Sequence, residues 1–495
     1  MNLIPLALPP GMVRRGTVYE TKGRWYDGNL VRWNAGRMMP IGGWTARTTT
    51  PCSGKARALI TWRDNLGLRY IAVGTHTKLY AFSQTSATPV DITPSGFTTG
   101  RADAVSGAGY GVGTYGSGTY GTPRIDNVSV QDASMWTLDT WGERLVGCMS
   151  DDGKLYEWAL DIVTPTVAAV ISGAPTGCQG LVVTPEFFLM ALGAGGNPRK
   201  VQWSDQTDNT TWSPTATNQA GDYIIQSAGR LMCGRRVRGG TLLFTDTDVH
   251  FANYLGPPFV YGIERIGDNC GIISRGAVAV ADARAMWMSQ TGFFAYDGAG
   301  VSPAPCEVHD AVFSNMNFTQ RSKVTATLNS TFSEIRWEYP SANSTENDSY
   351  VTYNYDEDHW ALGSMTRLCG ADRGVFNNPI MADSDGYLYD HETGYSYGSS
   401  TPYAESGPIE LGNGEQRMRV RRLIADEATE GQVTASFKIR DWPNDSETTY
   451  GPYTINNPTT TRFSGRNVRL RIDGAAAASW RWGNPRLDVH AGGAR

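Results

Sequence analysis

Glu334 with Glu338, and the run Asp356-Glu357-Asp358, come nearest in this chain to a paired-carboxylate site. Two such groups flanking a glycosidic bond, one as acid and one as base or nucleophile, would hydrolyse a glycan. The plainer expectation places them on strand faces and surface turns. Cys306 stands three residues before His309, a spacing that could pair thiol with imidazole. Nothing nearby supplies an oxyanion hole or an orienting partner, so a buried thiol beside a surface histidine is expected. Gly394-Tyr-Ser396-Tyr-Gly398 matches a nucleophile-elbow pattern but lacks the apolar strand before it and the helix after it. Gly111-Val-Gly113-Thr-Tyr-Gly116 matches a dinucleotide fingerprint, again without strand or helix. Gly147 to Lys154 has the wrong spacing for a phosphate loop. The histidines, at 76, 250, 309, 359, 391 and 490, never pair at i, i+4, and Asp383-Ser-Asp385-Gly386 is too short for a calcium loop. The expectation is no catalysis, no cofactor and no metal.

The elements that would position these residues recur. An apolar strand leads into an acidic or polar tight turn, and an aromatic strand follows. This happens at 61–82, 136–158, 238–254, 284–298 and 376–391. Lys78-Leu79-Tyr80, Lys154-Leu155-Tyr156 and Tyr387-Leu388-Tyr389 occupy the same place in their units. Self-similarity of this kind means blades or coils. Unit centres near 75, 152, 197, 244, 293, 354 and 386 predict six or seven units, and the middle spacings suit a four-stranded blade of roughly 40–50 residues. Asp152-Gly153 and Asp385-Gly386 read as hairpin turns, and Asp27-Gly28 as a tight turn between aromatic strands. Helical periodicity is confined to Val308–Asn317, taken as a short helix between blades.

The chain of 495 residues carries 57 Gly and 15 Trp, only 18% charged residues, and a net charge of −5. Glycine marks many turns, and tryptophan suits broad sheets. The negative balance disfavours a grip on nucleic acid, though not duplex sliding past. The runs Arg235-Arg236-Val237-Arg238 and Arg417 to Arg422 are short and read as solvated strand faces or interface charges. Seven scattered cysteines without CxxC spacing fit a reducing compartment. The opening MNLIPLALPPGMVRR puts its charge after its apolar run, the reverse of a secretory signal, and no window approaches a membrane span. The protein is expected to be soluble and cytoplasmic when made.

Three regions follow: an arm and β-hairpin at 1–50, the repeat region at 51–412, and a small β-domain at 413–495. The repeat region holds a Gly/Tyr-rich insertion at 98–125. There Tyr110, Tyr115 and Tyr120 recur every five residues among glycines, ending at Arg124. So much glycine costs backbone entropy, so the segment is expected to order only against something else. Tyrosines offer flat contact area with few rotors. Tyr110, Tyr115, Tyr120 and Arg124 are the interface candidates. In 413–495, Met418 to Ile424 and Asn467 to Ile472 alternate apolar and basic side chains, as half-buried strands do.

Ser150-Asp151-Asp152-Gly153 and Ser384-Asp385-Gly386 resemble the aspartate-box turns of sialidase-type propellers, where such turns are structural. Four further stretches together resemble the tail nozzle or tail-hub proteins of short-tailed bacteriophages, the DNA-stabilization proteins. They are TVYETKGRWYDGNLVRWNAGRMMPIGGW at 17–44, the Gly/Tyr run ending in Tyr120-Gly-Thr-Pro-Arg124, Pro305 to Phe313 leading into Gln320-Arg-Ser-Lys323, and RNVRLRIDG with RWGNPRLDV at 466–474 and 481–489. The resemblance implies an all-β chain: a β-propeller of six or seven blades with an N-terminal arm and a small C-terminal β-domain. It implies a structural virion protein, not an enzyme. Six copies would form a ring below the portal and the head-to-tail adaptor, retaining packaged double-stranded DNA and docking fibres or spikes. Its place would be the virion tail, assembled in the host cytoplasm. The alternative is a propeller that binds or hydrolyses glycans.

Overall fold

The computed structural model describes residues 2–105, 130–162, 166–410, 416–426, 431–474 and 478–492. Among the described residues, the chain from Ala56 to His391 lays down six four-stranded antiparallel sheets in succession and three strands of a seventh. The first strand of each sheet neighbours the first strand of the next, and Cys369–Ala371 of the seventh lies beside Ala56–Arg63 of the first. The ring therefore closes, and the architecture is a β-propeller. Each unit centre marked in the sequence falls in one of these sheets, and the recurring hairpin is their second and third strands.

Burial explains the composition of these strands. Arg69–Thr75 (RYIAVGT) and Gly240–Thr245 (GTLLFT) sit inside their sheets with neighbouring sheets on both faces, so they read as continuous apolar runs. Tryptophan indoles cross the gaps between sheets. Trp136 donates to the Thr75 carbonyl at 2.7 Å, Trp337 to that of Ala277 at 2.9 Å, and Trp360 to that of Pro305 at 2.9 Å. Each ring fills apolar space while its N–H satisfies a carbonyl the adjacent sheet would leave bare. The turns repeat one device. Asp64 accepts the Leu66 and Leu68 amides and the Tyr70 hydroxyl, and Asp383 accepts the Asp385 and Tyr387 amides. Asp152 accepts from Thr98, Lys154 and Tyr156. Gly153 and Gly386 take φ of +67° and +89° there, as the hairpin turns require.

The seventh sheet is finished by the N-terminal segment. Its outer strand is Trp44–Ala46, paired antiparallel with Leu388–His391. Other N-terminal strands join the C-terminal sheets. Asn2–Pro5 pairs with Arg486–Ala491, beside Met418–Ile424 and Thr459–Gly465. Trp25–Asn29 pairs with Tyr403–Ser406, which leads on to Asn467–Gly474, Val433–Arg440 and Thr448–Thr454. The apolar residues of these two sheets run continuously into those of the fourth to sixth propeller sheets.

The Asp27-Gly28 turn is corrected. Both residues lie inside Trp25–Asn29, next to a bulge, and the chain redirects at Leu30 with φ +57°. Glycine is needed at 28 because a Cβ there would meet Met12 Cε at 2.4 Å and the Tyr403 carbonyl at 2.9 Å. The short helix is present, trimmed to His309–Ser314, and a 3₁₀ stretch, Phe318–Lys323, leads into the sixth sheet. Among the described residues no helix is long and apolar enough to cross a membrane.

Candidate functional site

Tyr110, Tyr115, Tyr120 and Arg124 lie outside the described residues. The stem that carries them does not. The chain leaves the first sheet through 101–105 and returns to the second through 130–134, and Val105 and Gln131 form an antiparallel bridge. This stem crosses one mouth of the propeller and is tied to distant sheets. Gln320, in the lead-in to the sixth sheet, accepts from the Ala104 amide at 2.9 Å and donates to its carbonyl at 3.2 Å. The Ser322 hydroxyl accepts the Ala133 amide at 3.2 Å. Arg230, entering the fourth sheet, pairs with Asp132, and Arg101 pairs with Asp151.

Beneath the stem lies a buried ionic cluster. Lys323, whose side chain is fully buried, contacts both Asp103 and Glu346. Arg57 meets both Glu346 oxygens at 2.8 Å and donates to the Ala102 carbonyl at 2.7 Å. Burial alone would raise the Glu346 carboxyl, but Arg57 and Lys323 outweigh it and hold it below the usual range. Lys323, Arg57 and Glu346 are enclosed while Asp103 is half-exposed, and the two cations face two carboxylates, which offsets the cost of enclosing them. The cluster makes the stem rigid at its root. Sequence reasoning passed over it, since its members are 289 and 220 residues apart in the pairs Arg57–Glu346 and Asp103–Lys323.

The carboxylates singled out as a glycan-cleaving pair have other partners. Glu334 and Glu338 share the strand Glu334–Tyr339 of the sixth sheet, and both are buried. Glu334 is held by Arg32 of the arm through bonds of 3.0 and 2.8 Å, and Arg32 is also held by Glu392 at 2.9 and 2.6 Å. The Phe332 ring covers the guanidinium at 3.7 Å. Glu338 accepts from Arg336 at 2.9 Å and from the Thr325 and Thr327 hydroxyls. Burial pushes its carboxyl up to about 7, against the pull of Arg336. In the acidic run, Glu357 accepts the Ala35 amide at 2.7 Å and Asp358 the Tyr353 hydroxyl at 2.9 Å. The run forms the turn after Asn354, which pairs across the sheet with Glu334, and neither of these two bonds is to Glu334 or Glu338.

Cys306 and His309 are likewise not assembled for nucleophilic work. The His309 ring nitrogens face the Asp310 carboxylate and the Thr291 carbonyl, both at 3.1 Å. Burial pushes the Cys306 thiol up to about 12, leaving it uncharged. The Gly394–Gly398 stretch instead receives the arm. Gly43 donates to the Gly394 carbonyl at 2.8 Å, and the Tyr397 hydroxyl donates to that of Ile41 at 2.5 Å. A Cβ at Gly43 would meet the Ser396 amide nitrogen at 2.5 Å, so only glycine allows the approach. Among the described residues no group of three or more His, Cys, Asp or Glu is placed to hold a metal ion.

No family model matches the chain, and no curated protein matches it. Solved structures with a similar fold include the Pan2 WD40 domain of Neurospora crassa, at 9% identity and TM-score 0.40, covering 72% of this chain and 96% of that one. Another is PorZ, a bacterial surface component of the type-IX secretion system of Porphyromonas gingivalis, at 8% identity and TM-score 0.38, covering 84% and 48%. A third is an exo-beta-1,3-galactanase from Phanerochaete chrysosporium, at 10% identity and TM-score 0.30, covering 91% and 99%.

Proposed function

We propose that this chain is the subunit of a ring-shaped tail nozzle of a short-tailed bacteriophage, built on a seven-bladed propeller with an N-terminal arm. Six copies close into a ring below the adaptor, retain packaged DNA and carry fibres or spikes. The observation that carries the reading is the anchored stem. An insertion unable to pack by itself leaves the propeller from a frame fixed by Lys323, Gln320, Ser322 and Arg230. A frame of this kind fixes where Tyr110, Tyr115, Tyr120 and Arg124 begin and end, so they meet a neighbouring subunit or the adaptor at a set position. Identical subunits joined head to tail form a closed ring when the rotation closes.

The propeller's own hole is not the DNA path in this reading. The cavity at its centre has a volume of about 100 Å³, far too small to hold a duplex whose major groove alone is about 12 Å wide. The channel belongs to the ring, and the chain's net charge of −5 suits a wall that duplex slides past. The test is deletion of 107–121, followed by averaged electron microscopy of the protein alone and with its adaptor. Loss of sixfold rings with an unchanged thermal melt is expected. Normal rings from the deletion, or new reducing ends when the intact protein meets host surface polysaccharide, would overturn the assignment.

A further inference from the structure

Apolar side chains such as Leu59, Trp136 and Leu138 supply part of the wall at the centre of the propeller, but polar ones enter it as well. A cavity of about 100 Å³ lies there, lined by Arg57, Thr137, Arg235, Arg275 and Thr325 and by backbone at Gly276 and Gly370. These residues come from six of the seven sheets or their lead-ins. Arg275 also borders a space of about 300 Å³ beneath the stem. Thr137 and Arg235 also border one of about 230 Å³ toward the opposite mouth. The central cavity thus shares walls with two larger spaces.

The lining of the central cavity holds three arginines and no carboxylate. Arg57 is matched by Glu346, but Arg275 and Arg235 are not matched. Arg275 is 8% exposed and donates to neutral acceptors, the Met232 carbonyl and, at 2.8 Å, Gln179 Oε1. Arg235 donates to the carbonyls of Gly234 at 2.9 Å and Arg275 at 3.3 Å. Neither forms an ion pair with a carboxylate of the described residues. Burial pulls the Arg275 guanidinium below its ordinary value. Two further polar atoms of the lining have no partner: Arg57 Nε and Thr137 Oγ1, on residues 3% and 6% exposed. Buried donors are nearly always satisfied, and buried cations nearly always matched. Three buried groups, Arg275, Arg57 Nε and the Thr137 hydroxyl, lack a counter-charge or a partner around one cavity, the half-buried Arg235 adds a further cation, and together they point to an anion.

We propose that this cavity binds a small tetrahedral oxyanion of the inorganic phosphate or sulfate class. Arg235 and Arg275 supply the charge, and Arg57 Nε and the Thr137 hydroxyl donate to its remaining oxygens. Guanidinium forks match oxyanion geometry better than that of a spherical halide. The volume exceeds the roughly 30 Å³ share of one water, leaving room for a larger guest. The anion would add a link between strands of different sheets at the axis, where the Ala326 amide already donates to the Gly276 carbonyl at 2.7 Å.

The experiment is thermal melting of the full chain at fixed ionic strength, with sodium phosphate replacing sodium chloride. Phosphate is excluded from protein surfaces and stabilises many folds, so variants carry the decision. The parent is expected to show a saturable rise in Tm with phosphate that chloride does not give. Thr137→Val, which removes the unpartnered hydroxyl and keeps its shape, should melt no lower without phosphate and need about tenfold more to reach half effect. Arg235→Gln should lose the saturable part. Equal responses to phosphate and chloride, or a Thr137→Val titration that superimposes on the parent's, would overturn the site. Should Arg235→Gln fail to fold, Thr137→Val alone decides.

Discussion

Two of the joins that the N-terminal segment makes to the rest of the molecule are built differently. At the C-terminal sheets, Asn2–Pro5 adds an edge strand whose register runs from Asn2↔Val489 to Pro5↔Arg486, and Leu3 stays 42% exposed. That join is mainly backbone pairing. At the seventh propeller sheet, Trp44–Ala46 pairs with Leu388–His391, and side chains reinforce the join. Trp44 stacks on His391 at 5.5 Å, Arg47 meets Asp390 at 2.7 Å, and Arg32 ties the arm to both Glu334 and Glu392. Backbone pairing gives an added strand its register, while the side chains decide how hard it is to remove. The arm is locked and the first strand is merely attached.

Arg32→Met tests the lock most severely. It leaves Glu334 and Glu392 buried without their cation, so a loss of about 3–5 kcal/mol in denaturant stability is expected, with early proteolytic release of the arm. A loss under about 1 kcal/mol would show that the arm is held by strand pairing as the first strand is. Glu338→Gln sharpens the contrast, since Glu338 shares a strand with Glu334 but lacks the arm's cation. Its folded value of about 7 lies above that of an unfolded glutamate. Stability from this group is therefore full below about pH 4.3 and is lost as pH rises through 7. The parent should weaken between pH 5 and 8, whereas Glu338→Gln should hold its stability and exceed the parent at pH 8 by on the order of a few kcal/mol. Parallel pH profiles for the two proteins would refute this. Leu3→Ser, on the lightly held strand, should change stability by no more than about 0.5 kcal/mol.

The sequence displayed the parts of the fold that repeat. Alternation and the Asp-Gly turns at 152–153 and 385–386 located the hairpins, because these are local choices of backbone conformation. It did not display which strand closes which sheet. Nothing in Trp44-Thr45-Ala46 names Leu388–His391 as a partner, since strand pairing is set by packing across the whole molecule. The same limit explains Asp27-Gly28, where glycine answers a close approach by Met12 and Tyr403 that turn chemistry cannot foresee. Glu334 and Glu338 were visible as carboxylates, but Arg32, which defines the role of Glu334, comes from 302 residues away. Lys323 and Gln320 stood within a stretch already marked by resemblance, without any local sign that they hold the stem.

The pairing of Trp44–Ala46 with Leu388–His391 also orders events on the ribosome. The outer strand of the seventh sheet is synthesised first and its partner more than three hundred residues later. A nascent chain halted anywhere between them carries an unclosed ring with an open edge at each side, the kind of edge that templates aggregation. Closure of the ring thus doubles as a check that synthesis has passed His391.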